Sequence, residues 1–210
     1  MVGNPLEAQL IASYASSRNN LTGVSTSSFL LTAKRLELLK ELVPRAKSTM
    51  AIVPVTEATA KLAMPYLDAA AKKIGLQVVR RDVTSSAELE KLLADKWTGT
   101  VDAIFPLPSV MLTTNVQAIA AKANKERLPM IVNDDNWVKA GALASYGTDY
   151  RLIGMQSAKL VAKILKGAKP VDVPIETPDA LVLTLNRSAA KAIGLKLAEK
   201  ILERADQIFD

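Results

Sequence analysis

Four short apolar runs alternate with stretches of helical periodicity, and this alternation limits the folds that the chain can adopt. Strands separated by helices of roughly 10–20 residues form right-handed βαβ units, whose strands lie parallel in a sheet that is buried on both faces. We therefore expect an α/β fold with a doubly wound parallel sheet. The expected strands contain Met50–Val53, Val78–Val79, Ala103–Phe105 and Met130–Val132.

Polar residues cluster where several of these runs end. In an open parallel sheet, ligands bind in the crevice beyond the carboxyl ends of the strands. The clusters therefore predict a binding cleft for a small molecule. The candidate ligand-binding residues are Thr56 and Glu57 after the first run, Pro108 and Ser109 after the third, Asn133, Asp134 and Asp135 after the fourth, and Tyr150 at the start of a long predicted helix.

Most of these candidates also have a purely structural interpretation. Thr56 is placed to cap a helix that runs to Ile74, and an acidic residue beside it is favourable near the helix dipole. Asp134 and Asp135 are placed to cap a short helix, and Ser109 to form the turn into the next one. The sequence leaves ligand contact and capping open at each of these positions.

The residue types that are absent restrict the possible chemistry. The chain contains no cysteine and no histidine, which removes disulfides, thiolate nucleophiles, Cys/His zinc sites and histidine-based triads. It also contains neither a Gly-x-Gly-x-x-Gly nor a Walker loop. An enzyme would depend on Asp134, Asp135 or Glu57, so we expect a protein that is not an enzyme and that has no cofactor or metal.

Charge and hydropathy limit the partners. The 27 basic and 21 acidic residues give a net charge of +6, but they are interleaved along predicted helices without a nucleic-acid-binding motif. We expect solvated helix faces and no nucleic-acid partner. No run approaches the roughly 20 apolar residues that span a membrane, and no signal sequence is expected in the chain.

An ordered set of segments resembles the solute-binding proteins of ABC transporters with the type I periplasmic-binding fold, in their tryptophan/tyrosine-type, uncharacterised branch. The resemblance covers essentially the whole chain. The segments that carry it begin with Gly3-Asn4-Pro5, 20–25 (NLTGVS) and 34–44 (KRLELLKELVP), continue with Asn133-Asp134-Asp135, 141–150 (GALASYGTDY) and 163–170 (KILKGAKP), and end with 174–178 (PIETP) and 191–195 (KAIGL).

This resemblance implies two lobes. Family members begin lobe 1 with several βα units before the segment that resembles Gly3-Asn4-Pro5, and the chain does not contain those units. We therefore expect one complete lobe, formed by residues 48–149 and 172–210, and a partial lobe 1, formed by residues 1–47 and 150–171. The partial lobe is expected to be disordered, to self-associate or to borrow a partner from a second copy. Tyr150 would line the cleft or pack at the hinge.

The resemblance also implies a function. Family members are periplasmic or extracellular, often membrane-attached lipoproteins, and present a small ligand to an ABC permease. An amino-acid-like ligand would place its ammonium near Asp134 or Asp135 and its carboxylate at the helix N-terminus near Thr56. Related binders of aromatic amino acids often carry an Asp-Asn pair where this chain has Pro108 and Ser109, which puts the same ligand in doubt.

Two alternatives share this fold. The chain could be a ligand-sensing regulatory domain, since fold alone does not fix function. It could also be a truncated lobe that binds no ligand tightly, because one lobe cannot enclose a solute as a closed cleft does.

Overall fold

Parallel strands form the centre of the larger of two units in the computed structural model, which describes residues 3–6 and 8–210. The larger unit comprises Phe29–Gly147 and Val182–Asp210, and the smaller one Met1–Ser28 and Thr148–Leu181. The strands are β1 (Ser48–Pro54), β2 (Gln77–Val83), β3 (Ile104–Pro106), β4 (Ile131–Val132), β5 (Ala144–Gly147), β6 (Val182–Asn186) and β7 (Gln207–Phe209).

Helices separate most of these strands along the chain. The longest are α1, α2 and α7, which the apolar periodicity of the sequence predicts best. The α-helices are α1 (Thr32–Leu42), α2 (Ala58–Ile74), α3 (Ser86–Ala94), α4 (Val110–Thr114), α5 (Val116–Lys125), α6 (Asp135–Lys139), α7 (Tyr150–Leu165), α8 (Arg187–Ala192) and α9 (Glu199–Leu202), with 3₁₀ turns at Ser28–Leu31 and Pro170–Asp172.

The strand order is that of a doubly wound fold. Strands β2, β1 and β3 pair in one parallel group, and β4 to β7 form a second group. A parallel bridge between Ile104 and Met130 connects β3 to β4, so the first five strands follow the order β2-β1-β3-β4-β5. This order has its switch point between β1 and β3. Strand β6 runs antiparallel to β5, which departs from the all-parallel arrangement expected from the sequence.

The central strands are buried on both faces, as a parallel sheet requires. Ala51 and Val53 of β1 belong to a core that also contains residues of α1 and α2. Met50 and Ile52 belong to a second core with residues of α3, α5 and α6. Successive side chains of a strand point to opposite faces, so helices cover the sheet on each side.

The boundaries of the two units differ from the boundaries of the lobes predicted from the sequence. The sequence predicts a partial lobe that includes residues 1–47, whereas α1 lies in the larger unit. Leu36, Leu39 and Leu42 of α1 share an apolar core with α2, and this burial explains the difference. The assignment of the units to the two lobes of the family stays a prediction.

The ends of α2 combine a confirmed prediction with a correction. Gly75 ends the helix in the left-handed conformation, with φ of +65°, as a C-terminal glycine is expected to do. At the other end, the N-cap is Glu57 rather than the predicted Thr56. The sequence predicts a kink or a late start at Pro65. The helix begins before the proline and continues through it, so the late start is wrong.

The C-terminal segment differs from its prediction. The pattern of residues 197–208 predicts a helix to the end of the chain, but α9 covers only Glu199–Leu202 and the chain then forms β7. Strand β7 pairs in parallel with β6, with Leu185 opposite Ile208. The apolar residues near the end of the chain therefore extend the sheet, and a short apolar run does not by itself distinguish a strand from a helix.

Candidate functional site

The candidate residues of the larger unit lie at one edge of its sheet. Strands β1, β3, β4 and β5 are parallel and share this carboxyl edge. The register pairs Ile52 with Pro106 and Ile104 with Met130, so the loops after β1, β3 and β4 follow one another along the edge. The structure thus brings the three polar clusters to one rim, which we call the carboxyl rim (residues 55–57, 107–109 and 133–135).

Glu57 connects two loops of the carboxyl rim. Its carboxylate accepts hydrogen bonds from the Ser109 hydroxyl at 2.7 Å, from the Val110 amide at 2.9 Å and from the Met111 amide at 3.1 Å. These amides belong to the first turn of α4, where helix N–H groups otherwise have no partner. Glu57 therefore stabilises the switch point by capping a helix that follows another strand.

Ser109 and Pro108 have structural roles in the same loop. Ser109 is the N-cap of α4, and its hydroxyl accepts a hydrogen bond from the Leu112 amide at 3.1 Å. Pro108 is buried, whereas Ser109 is partly exposed. Hydrogen bonds within the protein already engage the Ser109 hydroxyl, and its predicted contact with ligand stays a prediction.

The N-terminus of α2 differs from that of α4. Glu57 is its N-cap residue but makes no side-chain capping bond there, because its carboxylate bonds to α4. Thr56 is exposed beside this terminus. A helix of 17 residues carries partial positive charge at its N-terminus, which favours an anion. The first turn of α2 is thus chemically suited to a carboxylate.

Asp134 is a buried carboxylate at the end of β4. It is 6% exposed, caps α6, and accepts hydrogen bonds from the Asn136 amide at 2.8 Å and the Asn136 side-chain amide at 3.0 Å. Burial raises the pKa of Asp134. The hydrogen bond from the Asn136 amide lowers this pKa, and the neighbouring charge of Asp135 raises it. An ionised carboxylate in this position would be stabilised by a bound cation.

The other two residues of this loop differ from Asp134 in their surroundings. Asp135 is partly exposed and forms an ion pair with Lys139 at 2.8 Å. Asn133 lies against Gly147 at the end of β5, where a Cβ atom on residue 147 would be 2.1 Å from the Asn133 carbonyl oxygen. Gly147 therefore permits a close approach of the two chain segments that no other residue would allow.

Tyr150 belongs to the smaller unit. It is the first residue of α7, which Asp149 caps by accepting hydrogen bonds from the amides of Arg151 and Leu152. The Tyr150 side chain is 39% exposed. Its predicted role in ligand binding stays a prediction.

Sequence reasoning did not identify Arg35. This arginine of α1 is 2% exposed, and its Nε donates a 2.7 Å hydrogen bond to the carbonyl of Tyr146 in β5. Arginine is rarely buried unless it is paired. Arg35 lies in an ordinary amphipathic helix, and nothing in the local sequence indicates that its side chain is buried. Arg35 thus anchors α1 to the strand that ends at Gly147.

The described residues offer no evident place for a metal ion. Among residues 3–6 and 8–210, no cluster of three or more His, Cys, Asp or Glu side chains has a suitable arrangement. None of the helices in the same part of the chain combines the length and apolar composition needed to cross a bilayer.

A model of the family described as "ABC transporter substrate binding protein" matches residues 1–209. The chain belongs to this family. The match covers nearly the whole sequence and confirms the resemblance seen in its ordered segments. This is a family of substrate-binding proteins, not of enzymes, and its members are extracytoplasmic or lipoprotein-like and typically work with ABC permeases.

A curated relative and two solved structures agree with this assignment. A tyrosine-binding protein from Clostridioides difficile is 29% identical over 195 residues, which are 93% of this chain and 56% of the relative's length. A conserved domain protein from Vibrio cholerae has 28% identity and a TM-score of 0.86, with 99% of this chain and 69% of the other covered. A Streptococcus pneumoniae domain in complex with L-Trp has 25% identity and a TM-score of 0.82, with 98% and 70% covered.

These similarities confirm the α/β, periplasmic-binding-protein-like fold and the type of family expected from the sequence. The chain spans only 56% of the length of the tyrosine-binding relative, so the ligands for which the relatives are named belong to those proteins.

Proposed function

We propose that this chain acts as the extracytoplasmic substrate-binding component of an ABC importer and binds an amino-acid-like ligand at the carboxyl rim. The observation that carries this proposal is Asp134, a buried carboxylate with a raised pKa beside a second acidic residue. A bound ammonium group would offset the unfavourable burial of the negative charge. Family membership supplies the transport context.

The ligand carboxylate would lie at the first turn of α2. This terminus is not capped by Glu57, whose carboxylate bonds to α4, and its amide groups favour an anion. An α-amino acid carries an ammonium and a carboxylate on one carbon, so it has the two charges that Asp134 and the start of α2 would recognise. Aromatic amino acids are the first ligands to test, because one relative is named for tyrosine and another structure contains L-Trp.

The binding test compares L-Trp and L-Tyr with analogues that lack one charged group. Indole-3-propionate retains the carboxylate without the ammonium, and L-tryptophanamide retains the ammonium without the carboxylate. We expect L-Trp or L-Tyr to bind, with about millimolar affinity for this chain because one sheet edge encloses a ligand incompletely. Both analogues should bind more weakly by about tenfold, the value of one charge-assisted hydrogen bond.

Two-dimensional NMR of the ¹⁵N-labelled chain is the suitable measurement, since it detects weak binding residue by residue. Shifts should concentrate at the amides of Ala58, Thr59 and Asn136. Equal affinity for the amino acid and both analogues would contradict the proposed contacts. Sub-micromolar affinity would instead contradict incomplete enclosure, and no response to any proteinogenic amino acid would contradict the ligand class.

The importer role has a separate test. We expect the gene to lie beside genes for a membrane permease and an ATPase. A neighbouring gene for a DNA-binding module, with no permease, would favour the ligand-sensing alternative. Self-association, one of the three alternatives expected for the partial lobe, is tested by sedimentation velocity across a concentration series, where a constant monomeric coefficient would contradict it.

A further inference from the structure

Two adjoining cavities form a groove at the opposite edge of the larger unit's sheet. One has a volume of about 250 Å³ and the other of about 440 Å³, and both are lined by Gly194 and Leu195. The first is also lined by Asp102 and Pro129, which precede β3 and β4. This amino-edge groove therefore lies at the starts of the strands, away from the carboxyl rim.

The amino-edge groove combines basic and apolar side chains. Its apolar lining comes largely from the segment between α8 and α9, whose leucines are only partly buried. Five basic residues lie along it. The basic residues are Arg45, Arg127, Arg187, Lys191 and Lys196, and the main apolar ones are Ile193, Leu195 and Leu197.

Little negative charge offsets these basic residues. Among the lining residues that the structure describes, the carboxylate is that of Asp102. It accepts hydrogen bonds from the Lys47 amide at 2.7 Å and from the Ser48 amide and hydroxyl at 2.9 and 3.1 Å. Arg187 pairs with Asp210 at 3.2 Å, but both side chains are at least half exposed, where an ion pair is weak. The groove is therefore strongly positive.

We propose that the amino-edge groove docks an extended acidic segment of a partner protein. An extended peptide directs alternate side chains to opposite sides, so carboxylates can contact Arg45, Arg127 and Lys191 while apolar side chains contact Leu195. The concave shape fits a peptide better than a flat lipid surface. A second copy of this chain is disfavoured because its net charge is also +6.

The test uses fluorescein-labelled peptides of about ten residues and fluorescence anisotropy. The probe alternates Glu and Leu, and two control peptides replace all Glu by Gln or all Leu by Gly. We expect the Glu/Leu peptide to bind at low salt, to weaken at about 0.5 M salt, and to bind more tightly than either control. The triple variant R45E/R127E/K191E should lower its affinity by about tenfold.

A matched variant separates the groove from the overall charge. K61E/K72E/K91E changes the net charge by the same amount at exposed lysines that do not line the groove, and it should retain nearly full affinity. Equal losses of peptide affinity in the two triple variants would overturn the proposal. Tighter binding of either control peptide than of the Glu/Leu peptide to the wild-type chain would also overturn it. Binding to phosphatidylglycerol vesicles with no binding to the peptide would also overturn it. Circular dichroism confirms that both variants are folded.

Discussion

Two parts of the carboxyl rim use an acidic side chain to cap a short helix, but they leave its charge in different surroundings. Glu57 accepts three hydrogen bonds from the start of α4 and remains partly exposed. Asp134 caps α6 with a single oxygen, is almost fully buried and lies beside Asp135. Hydrogen bonds within the protein engage the first carboxylate fully, whereas burial disfavours the charge of the second.

This difference indicates which carboxylate can contribute most to binding. A ligand cation adds little stabilisation to a carboxylate that already accepts several hydrogen bonds. It adds much more to a carboxylate whose charge is buried and destabilised. The comparison therefore predicts a binding role for Asp134 and a structural role for Glu57. The following variants test it in order of expected effect.

Asp134→Asn should have the largest effect on ligand binding. Asparagine retains an oxygen that can accept the Asn136 amide hydrogen bond, but it lacks the charge for a ligand ammonium. We expect a loss of about tenfold or more in affinity for L-Trp or L-Tyr, measured by NMR titration. Asp135→Asn is the matched control, because Asp135 is paired with Lys139, and its affinity should change by less than about threefold.

Gly147→Ala tests whether the close approach to Asn133 holds the β4 loop. An alanine Cβ would overlap the Asn133 carbonyl oxygen, so we expect the larger unit to lose about 1–3 kcal/mol of stability. Urea unfolding followed by tryptophan fluorescence is informative, since Trp97 and Trp137 both lie in that unit. Gly154→Ala adds a Cβ in open space in the smaller unit and should leave this transition unchanged. An unchanged transition for Gly147→Ala would refute the steric argument.

The sequence predicts the parts of this site that depend on local patterns. The strand ends that define the carboxyl rim follow from apolar runs. The helical spacing of Leu36, Leu39 and Val43 predicts a helix over Thr32–Leu42, which are the bounds of α1. Ser85 caps α3 by accepting a hydrogen bond from the Glu88 amide at 3.3 Å, as its capping-box pattern predicts. These features are encoded by residues that are close together in the chain.

Other features depend on distant contacts and could not be predicted in this way. The direction of β6 depends on how the chain returns after Leu181, and the strand at Gln207–Phe209 depends on pairing with β6. The role of Glu57 depends on amides more than 50 residues away. A local pattern shows an acidic residue near a helix start, but only the fold shows which helix it caps.

Glu57→Gln should affect stability more than binding. Glutamine can accept part of the hydrogen bonding at α4, but its NH₂ group cannot accept from a backbone amide. We expect a loss of about 1 kcal/mol in the stability of the larger unit and less than about a threefold change in ligand affinity. Glu90→Gln, at an exposed position of α3, is the matched control for the charge change. The comparison would fail if Glu57→Gln weakened binding as much as Asp134→Asn.

The pH dependence of stability gives the smallest and most specific test. Because burial raises the pKa of Asp134 above the usual range of an aspartate, the folded state binds more protons than the unfolded state between the two pKa values. The stability contribution of Asp134 is therefore most favourable at pH values below its unfolded pKa and falls as pH rises through its folded pKa.

Several other carboxyls have lowered pKa values, so the quantity to measure is the difference between the wild type and Asp134→Asn. As pH rises from the unfolded pKa of Asp134 through its raised folded pKa, the variant should become progressively more stable relative to the wild type in urea unfolding. A difference that is constant with pH would mean that Asp134 is not destabilised by burial, and the contrast with Glu57 would then be lost.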